Sequence, residues 1–281
     1  MQPESSKSEL QQKEELQQTI KEKISYSEFK VWQDCPHKHK LQYIDQVGKF
    51  EGNEYTAFGT ALHHVCENVV EDNSIKLEDL KILFLKKMIE EVAALKEKEI
   101  SLDKELLISM KDQGSFIIKY ILSSLKETFG DFEVISVEEE IYEDMSIIDF
   151  DQTNFKGFID LVIRTKSDNK YHIIDWKTCS WGWNAKKRSD SVTTYQLTYY
   201  KTFFSQKHNI PLSEIETHFA LLKRTAKKDP VEIFRVTSGE RKINNSLKML
   251  EKTVKNINKG VSYKNRLSCK YCNFYKTEHC T

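Results

Sequence analysis

The residues of this chain best suited to chemistry lie in one stretch, GFIDLVIRTKSDNKYHIIDWKT, from Gly157 to Thr178. Two β-branched runs, each with the character of a buried strand, carry Asp160 in the first and an Asp-x-Lys, Asp175 and Lys177, at the end of the second. A carboxylate in an apolar strand is costly unless it is hydrogen-bonded, paired or bound to a metal. The connecting TKSDNK is short and polar, as a hairpin loop is, so the strands are expected side by side with their carboxylates a few ångströms apart. Like charges at that range resist joint ionisation. A divalent cation removes the conflict, and hard oxygen ligands completed by water suit Mg²⁺ or Mn²⁺. Lys177 shares a strand face with Asp175, so metal, water and ammonium would surround a phosphate. A salt bridge from Lys177 to one aspartate is the competing reading, and the stretch alone does not choose between them.

Other polar groups recur at helical spacing. His63 and Glu67 are four residues apart, on one side of a helix whose apolar side is Leu62, Cys66 and Val69; His64 points about 100° away. Gln196 and Tyr200 repeat the spacing beside the aromatic pair Tyr195 and Tyr199. In the run Glu138, Glu139, Glu140, strand alternation sends Glu138 and Glu140 to one face and Glu139 to the other. The loop TCSWGWNAKKRSDSVTT sets Trp181 and Trp183 beside Lys186, Lys187 and Arg188. Rings for bases next to cations for phosphates are the ingredients of single-strand binding, a solvated basic loop being the plain alternative. Lys223, Arg224, Lys227 and Lys228 form a second basic tip. Six cysteines are not spread as a disulfide framework. Cys269, Cys272 and Cys280 supply three soft ligands and Cys35 a fourth; four cysteines, or three with His279, also make a structural zinc site. Cys66 and Cys179 read as small buried hydrophobes.

The elements that must position these groups follow from periodicity. Residues 1–23 are rich in Glu, Gln and Lys and are expected as a loose or solitary helical extension. Ser25 caps YSEFKVWQDC, which stops at Pro36. FGTALHHVCENVVED and two long helical patterns follow, IKLEDLKILFLKKMIEEVAALKEKE and KELLISMKDQGSFIIKYILSSLKETF. Strand patterns take over at FEVISVEEEIY, FKGFIDLVIR and YHIIDWKT, then the helix TYQLTYYKTFFSQKHN, a hairpin of IETHFALLKR and VEIFRV, and a last helix from about Gly239 to Asn258. This order gives an α/β class with a mixed sheet. One domain is expected over 24–281, with a helical insertion over about 71–130, a core over 131–236 and a cysteine tail over 262–281 packing with Cys35. There is no G-x-x-x-x-G-K-[ST], which argues against an NTP-driven motor of that type. No run of about 18 apolar residues and no signal-peptide segment is present, so a soluble cytoplasmic protein without a membrane partner is expected. The net charge of zero conceals an asymmetry: residues 177–281 carry 21 Lys+Arg against 8 Asp+Glu, and residues 1–176 carry 22 against 35. A basic half suits a polyanionic partner.

Gly157-x-x-Asp160 followed by Asp175-x-Lys177 resembles the PD-(D/E)XK nuclease core, in the form typical of RecB/AddB-type nuclease domains and CRISPR-associated RecB-like exonucleases. SYSEFKVWQDCP is similar to the family's S-x-S-x-h-x-x-y-x-x-C-P segment, FGTALHHVCE to its G-T-x-h-H helix, YQLTYY to its Q-x-x-x-Y helix, and SCKYCNFYKTEHC to its cysteine cluster, whose last spacing is here seven residues where five is usual. Six motifs in order cover about 24–280. The resemblance implies a restriction-endonuclease-like core with a central mixed sheet flanked by helices. It implies a metal-dependent DNA nuclease, an exonuclease on single strands or ends, with His63, Asp160, Asp175 and the Trp176 carbonyl as metal ligands. Lys177, Gln196, Tyr200 and an acidic residue, here Glu140, would complete the site. It further implies a 4Fe-4S cluster on Cys35, Cys269, Cys272 and Cys280, with structural Zn²⁺ as the rival. DNA contacts would come from Trp181, Trp183, Lys186, Lys187, Arg188, Lys223 and Arg224. A helicase or recombination partner, a phage-encoded origin in a bacterial host, and roles in DNA repair or recombination are compatible with it. An inactive binding module, or a subunit active only with a helicase, is the alternative.

Overall fold

A computed structural model of the protein describes residues 21–48, 50–148 and 150–281. Of the extension expected over residues 1–23, residues 1–20 lie outside the described residues. The chain divides into two compact units, one of residues 1–48, 142–156 and 244–281 and the other of residues 49–141 and 157–243.

In the first unit, β1 (Lys23–Ser25) pairs in parallel with the start of β3 (Phe150–Thr165) through Lys23↔Asn154 and Ser25↔Lys156. Ser25 then caps α1 (Tyr26–Asp34) by accepting from the Glu28 backbone N–H at 3.2 Å. Pro36 ends α1 as expected, but it also opens α2 (Pro36–His39), because a first-turn residue needs no N–H. Buried Glu28 Oε1 pairs with Lys21 Nζ and hydrogen-bonds His39 Nε2, each at 2.7 Å. The unit closes with α9 (Glu240–Asn258), which enters it at Asn244, and a short 3₁₀ turn, Arg266–Tyr271. A small apolar cluster of Leu41, Phe274 and Cys280, with Val47 and Cys272 against it, packs the tail.

The second unit holds α3 (Glu54–Glu71), α4 (Leu77–Glu97), α5 (Lys104–Ile118), α6 (Ile121–Phe129) and most of the sheet. The pattern read as one helix over Lys104–Phe129 is two: Tyr120 leaves helical values (φ −109°, ψ −7°), and the break lets Ile117, Ile118, Ile121 and Leu125 all be buried. Gly114 permits the contact of α5 with α4, since a Cβ there would lie 2.2 Å from the Phe84 ring. The sheet comprises β1, β2 (Phe132–Met145), β3, β4 (Tyr171–Cys179), β5 (Ile215–Lys223) and β6 (Val231–Arg235), in the order β1-β3-β4-β5-β6 with β2 pairing β3. The β3/β4 and β5/β6 pairs are antiparallel and β4/β5 is parallel. A parallel pair needs a crossover, and α7 (Ala185–Ser189) and α8 (Ser191–His208) supply it, α8 packing on β4 and β5. The principal core joins Phe58, Leu62, Phe84, Met110 and Ile117 of the helices to Leu161, Ile163, Ile174, Trp176 and Leu222 of the sheet. Among the described residues no helix is long and apolar enough to cross a membrane.

Candidate active site

The antiparallel ladder of β3 and β4 runs from Arg164↔Tyr171 to Leu161↔Ile174, and the next residues along the two strands are Asp160 and Asp175. Here a carboxylate stands in for a ladder carbonyl: Asp160 Oδ2 accepts from the Trp176 backbone N–H at 2.7 Å. His63 Nδ1 of α3 approaches the same oxygen at 3.7 Å, and the imidazole also hydrogen-bonds the Trp176 backbone. Gly59 lets α3 come this close to β4, since a Cβ there would meet Thr178 Oγ1 at 3.3 Å. From α8, Gln196 Nε2 donates to Asp175 Oδ1 at 2.7 Å and lies 3.2 Å from Tyr200 Oη. Asp175 is 1 % exposed. Its Oδ2 pairs with the Lys177 ammonium, 2.6 Å from Nζ, in a charge-assisted contact.

Burial dominates the electrostatics. It pushes Asp160 up to about 7, against the pull of Lys177 and the Trp176 N–H. It pushes Asp175 up to about 6, with Lys177 opposing and the Asp160 charge adding to the rise. Burial also pulls Lys177 down, but Asp175 and Asp160 outweigh it and the ammonium is held above its ordinary range. Burial and then Lys177 lower His63, which leaves a neutral imidazole with a lone pair. Ligand atoms of His63, Glu138 and Asp160 all lie within 4.8 Å of one another. Carboxylates, a neutral imidazole and a backbone carbonyl form a donor set that fits Mg²⁺ or Mn²⁺. A cleft of about 620 Å³ opens beside it, lined by Tyr55, Gly59, His63, Glu67, Glu138 and Thr178 among others.

A family model described as the PD-(D/E)XK nuclease superfamily matches residues 23–277. The chain belongs to the PD-(D/E)XK nuclease superfamily. A solved structure from Eubacterium rectale, described as a putative exonuclease, is similar in fold to this nuclease: the TM-score is 0.57 at 14 % sequence identity, over 99 % of this chain and 94 % of that one. Comparison with curated proteins finds no match.

The geometry of this PD-(D/E)XK nuclease gathers His63, Asp160, Asp175, Trp176, Lys177, Gln196 and Tyr200. It does not gather Glu140. Glu138 takes a positive φ of 47°, which breaks the strand alternation; Glu138 joins His63 and Asp160, while the Glu140 carbonyl accepts from Lys207 Nζ at 2.8 Å. Burial, Glu67 and Asp175 raise the Glu138 carboxyl. The two tryptophans also part company. Trp181 is 69 % exposed, whereas Trp183 is buried against Phe219 and Phe234 with ring centroids at 4.9 and 6.0 Å, so its ring serves the core and offers no face to a base. Lys187 Nζ lies 4.4 Å from the Trp183 centroid, Arg188 pairs with Glu232, and Lys186 is exposed. Lys223 also meets Glu232, at 3.5 Å, and Arg224 donates to Gln113 Oε1 at 2.8 Å. In the other unit, Cys35, Cys269, Cys272 and Cys280 line one small cavity. The Asn265 backbone N–H donates to Cys35 Sγ at 3.3 Å, and Asn265 Nδ2 and Ser268 Oγ donate to the Asp34 carbonyl at 2.8 and 2.6 Å. His279 faces Glu278 at 3.3 Å. Cys66 is buried, but Cys179 is half-buried and differs from the expectation.

Proposed function

We propose that this nuclease hydrolyses phosphodiester bonds of DNA with Mg²⁺ or Mn²⁺, as an exonuclease on single strands or strand ends. The observation that carries the reading is the convergence of Asp175, a buried carboxylate held by Gln196 at one oxygen and by Lys177 at the other, with Asp160 and His63. Asp160, Asp175, His63 and the Trp176 carbonyl would hold the ion, which when bound polarises the phosphate and neutralises charge on the leaving oxygen. Lys177, charged through its neighbours, donates to a phosphate oxygen and orients the attacking water. Gln196 fixes the Asp175 rotamer, and Tyr200 fixes Gln196 in turn. Trp181 and the exposed Lys186 and Lys187 offer a strand one stacking face and two cations. The DNA-directed part of the reading rests on the resemblance to RecB/AddB-type domains, and the basic second half of the chain agrees with it.

The same proposal assigns a 4Fe-4S cluster to Cys35, Cys269, Cys272 and Cys280. The shared cavity and the N–H bond to Cys35 Sγ support a common ligand, and zinc is its rival. Incubating the purified chain with Mn²⁺ and end-labelled single-stranded and duplex DNA tests the reading. Cutting by the wild type and none by Asp160→Ala is the expected result. No cutting of any DNA would assign the chain to an inactive binding module, and cutting only after a helicase is added would make it a dependent subunit.

A further inference from the structure

One face of α3 forms a wall of the cleft: Tyr55, Gly59, His63 and Glu67 recur every four residues, with Thr56, Thr60 and His64 beside them. Along this wall the chemistry changes in order, from an aromatic ring, through a glycine, to the imidazole 3.7 Å from Asp160 and then a carboxylate. Tyr55 is a large ring that the core does not take up, being 50 % exposed. Its place is set by the helix start, where its backbone N–H donates to the cap Asn53 Oδ1 at 3.0 Å. The Arg224 guanidinium stands 5.3 Å from the Tyr55 centroid and is itself fixed by Gln113 Oε1 at 2.8 Å and Ser180 Oγ at 3.3 Å. Eight helical residues separate Tyr55 from His63 by about 12 Å along the axis, a span of three to four stacked nucleotides at ~3.4 Å each.

We propose that Tyr55, backed by Arg224, is a stacking platform for one base of a single strand whose phosphate lies at His63. A ring gives any base a π face, and the neighbouring cation meets the backbone phosphate, which is the pairing that sequence-tolerant single-strand grooves use. Bases of an intact duplex are already stacked on one another, so the platform favours single strands and frayed ends. The proposal deepens the nuclease reading above and takes the identity of its ligand from it.

Fluorescence anisotropy of a labelled oligothymidylate, and of an abasic strand of the same length, separates this role from others when the full-length wild type, Tyr55→Ala, Tyr55→Phe, Tyr55→Trp and Arg224→Gln are titrated without added divalent ion. Tyr55→Ala is expected to bind oligothymidylate about 5- to 150-fold more weakly, the range of one lost base stack. Tyr55→Phe and Tyr55→Trp should keep the affinity, and wild type and Tyr55→Ala should bind the abasic strand alike. Arg224→Gln should lower the slope of log affinity against log salt by about 0.7, the value for one single-strand phosphate, where Tyr55→Ala leaves it unchanged. Equal affinity of wild type and Tyr55→Ala for oligothymidylate, or the same loss on the abasic strand, overturns the platform. Cleavage by the wild type with Mn²⁺, assayed alongside, keeps the two readings apart: a wild type that cuts with Tyr55→Ala binding normally sinks only the platform, and a wild type that binds through Tyr55 without cutting sinks only the nuclease.

Discussion

The carboxylate cluster and the cysteine cavity are held in place by opposite means. Asp160 and Asp175 sit on adjacent strands of a ladder, fifteen residues apart through a tight hairpin, and each has a partner supplied by the same unit. The cysteines are gathered by loops. Cys35 and the Asn265 that contacts its sulfur are 230 residues apart in sequence, and the tail around them has a short 3₁₀ turn and a small apolar cluster in place of strands. The first arrangement places the carboxylates on a hydrogen-bonded ladder, so loss of the proposed ion should leave the frame standing. The second is closed by hydrogen bonds such as those of Asn265 and Ser268 to the Asp34 carbonyl and of His37 to the His279 carbonyl, and the proposed ligand group would add to them, so its loss should loosen the unit. On the proposed reading, metal would serve chemistry in one region and architecture in the other.

The largest expected effect comes from breaking the first region. Asp160→Ala and Asp175→Ala should abolish cutting, and Lys177→Ala should reduce the rate roughly 100- to 1,000-fold, the scale of losing one donor to transition-state charge. In chelator the two aspartate variants should melt at or above the wild-type temperature, because each relieves a like-charge conflict between buried carboxylates. Full activity of any of the three variants in a gel assay would remove these residues from the site.

Breaking the second region should do the reverse. Protein prepared without oxygen is expected to be brown, with about four irons and labile sulfide per chain, and Cys35→Ala or Cys272→Ala should bleach it. Closing so long a loop is worth about 5 kcal/mol by the chain-entropy relation for a crosslink. Limited proteolysis should therefore cut the variants within residues 262–281 while the other unit resists. Bound zinc without iron would replace the cluster and keep the comparison; a colourless, metal-free and protease-resistant wild type would end it.

Where these side chains lie is in large part legible in the sequence, for reasons that also mark where such legibility stops. Asp160, Asp175 and Lys177 are placed by strand alternation and a short hairpin, and His63, Gln196 and Tyr200 by four-residue helical spacing, both of which survive folding unchanged. Glu138 is missed in favour of Glu140 because one residue at φ 47° shifts the register of side chains beyond it. Trp183 is misread because composition cannot tell a loop ring that faces water from one that drops between Phe219 and Phe234. The break at Tyr120 and the restart at Pro36 depend on where neighbouring elements bury their apolar faces. Tyr55 carries no signal beyond being aromatic; only the cleft shows which way it looks.

The tryptophans give the sharpest of these perturbations, both inside the sheet-bearing unit. Trp181→Ala should weaken single-strand binding by ~1–3 kcal/mol without changing the melting temperature. Trp183→Ala should destabilise the fold by ~3–5 kcal/mol, as loss of a buried aromatic does. Parallel binding and melting curves check both, and a stability loss in Trp181→Ala would show that its ring is also structural.

Calorimetric titration of Mn²⁺ into the wild type and Asp175→Asn at pH 5.5 and pH 8 tests the central claim most directly, since it needs no knowledge of the substrate. Asp160 and Asp175 are pushed up to about 7 and about 6, so at the lower pH both are largely protonated and a cation must displace those protons. Affinity should therefore rise with pH across this window, with proton release on binding that shrinks at pH 8, and Asp175→Asn should lose most of the binding. Equal, pH-independent Mn²⁺ affinity in the two proteins would contradict the account.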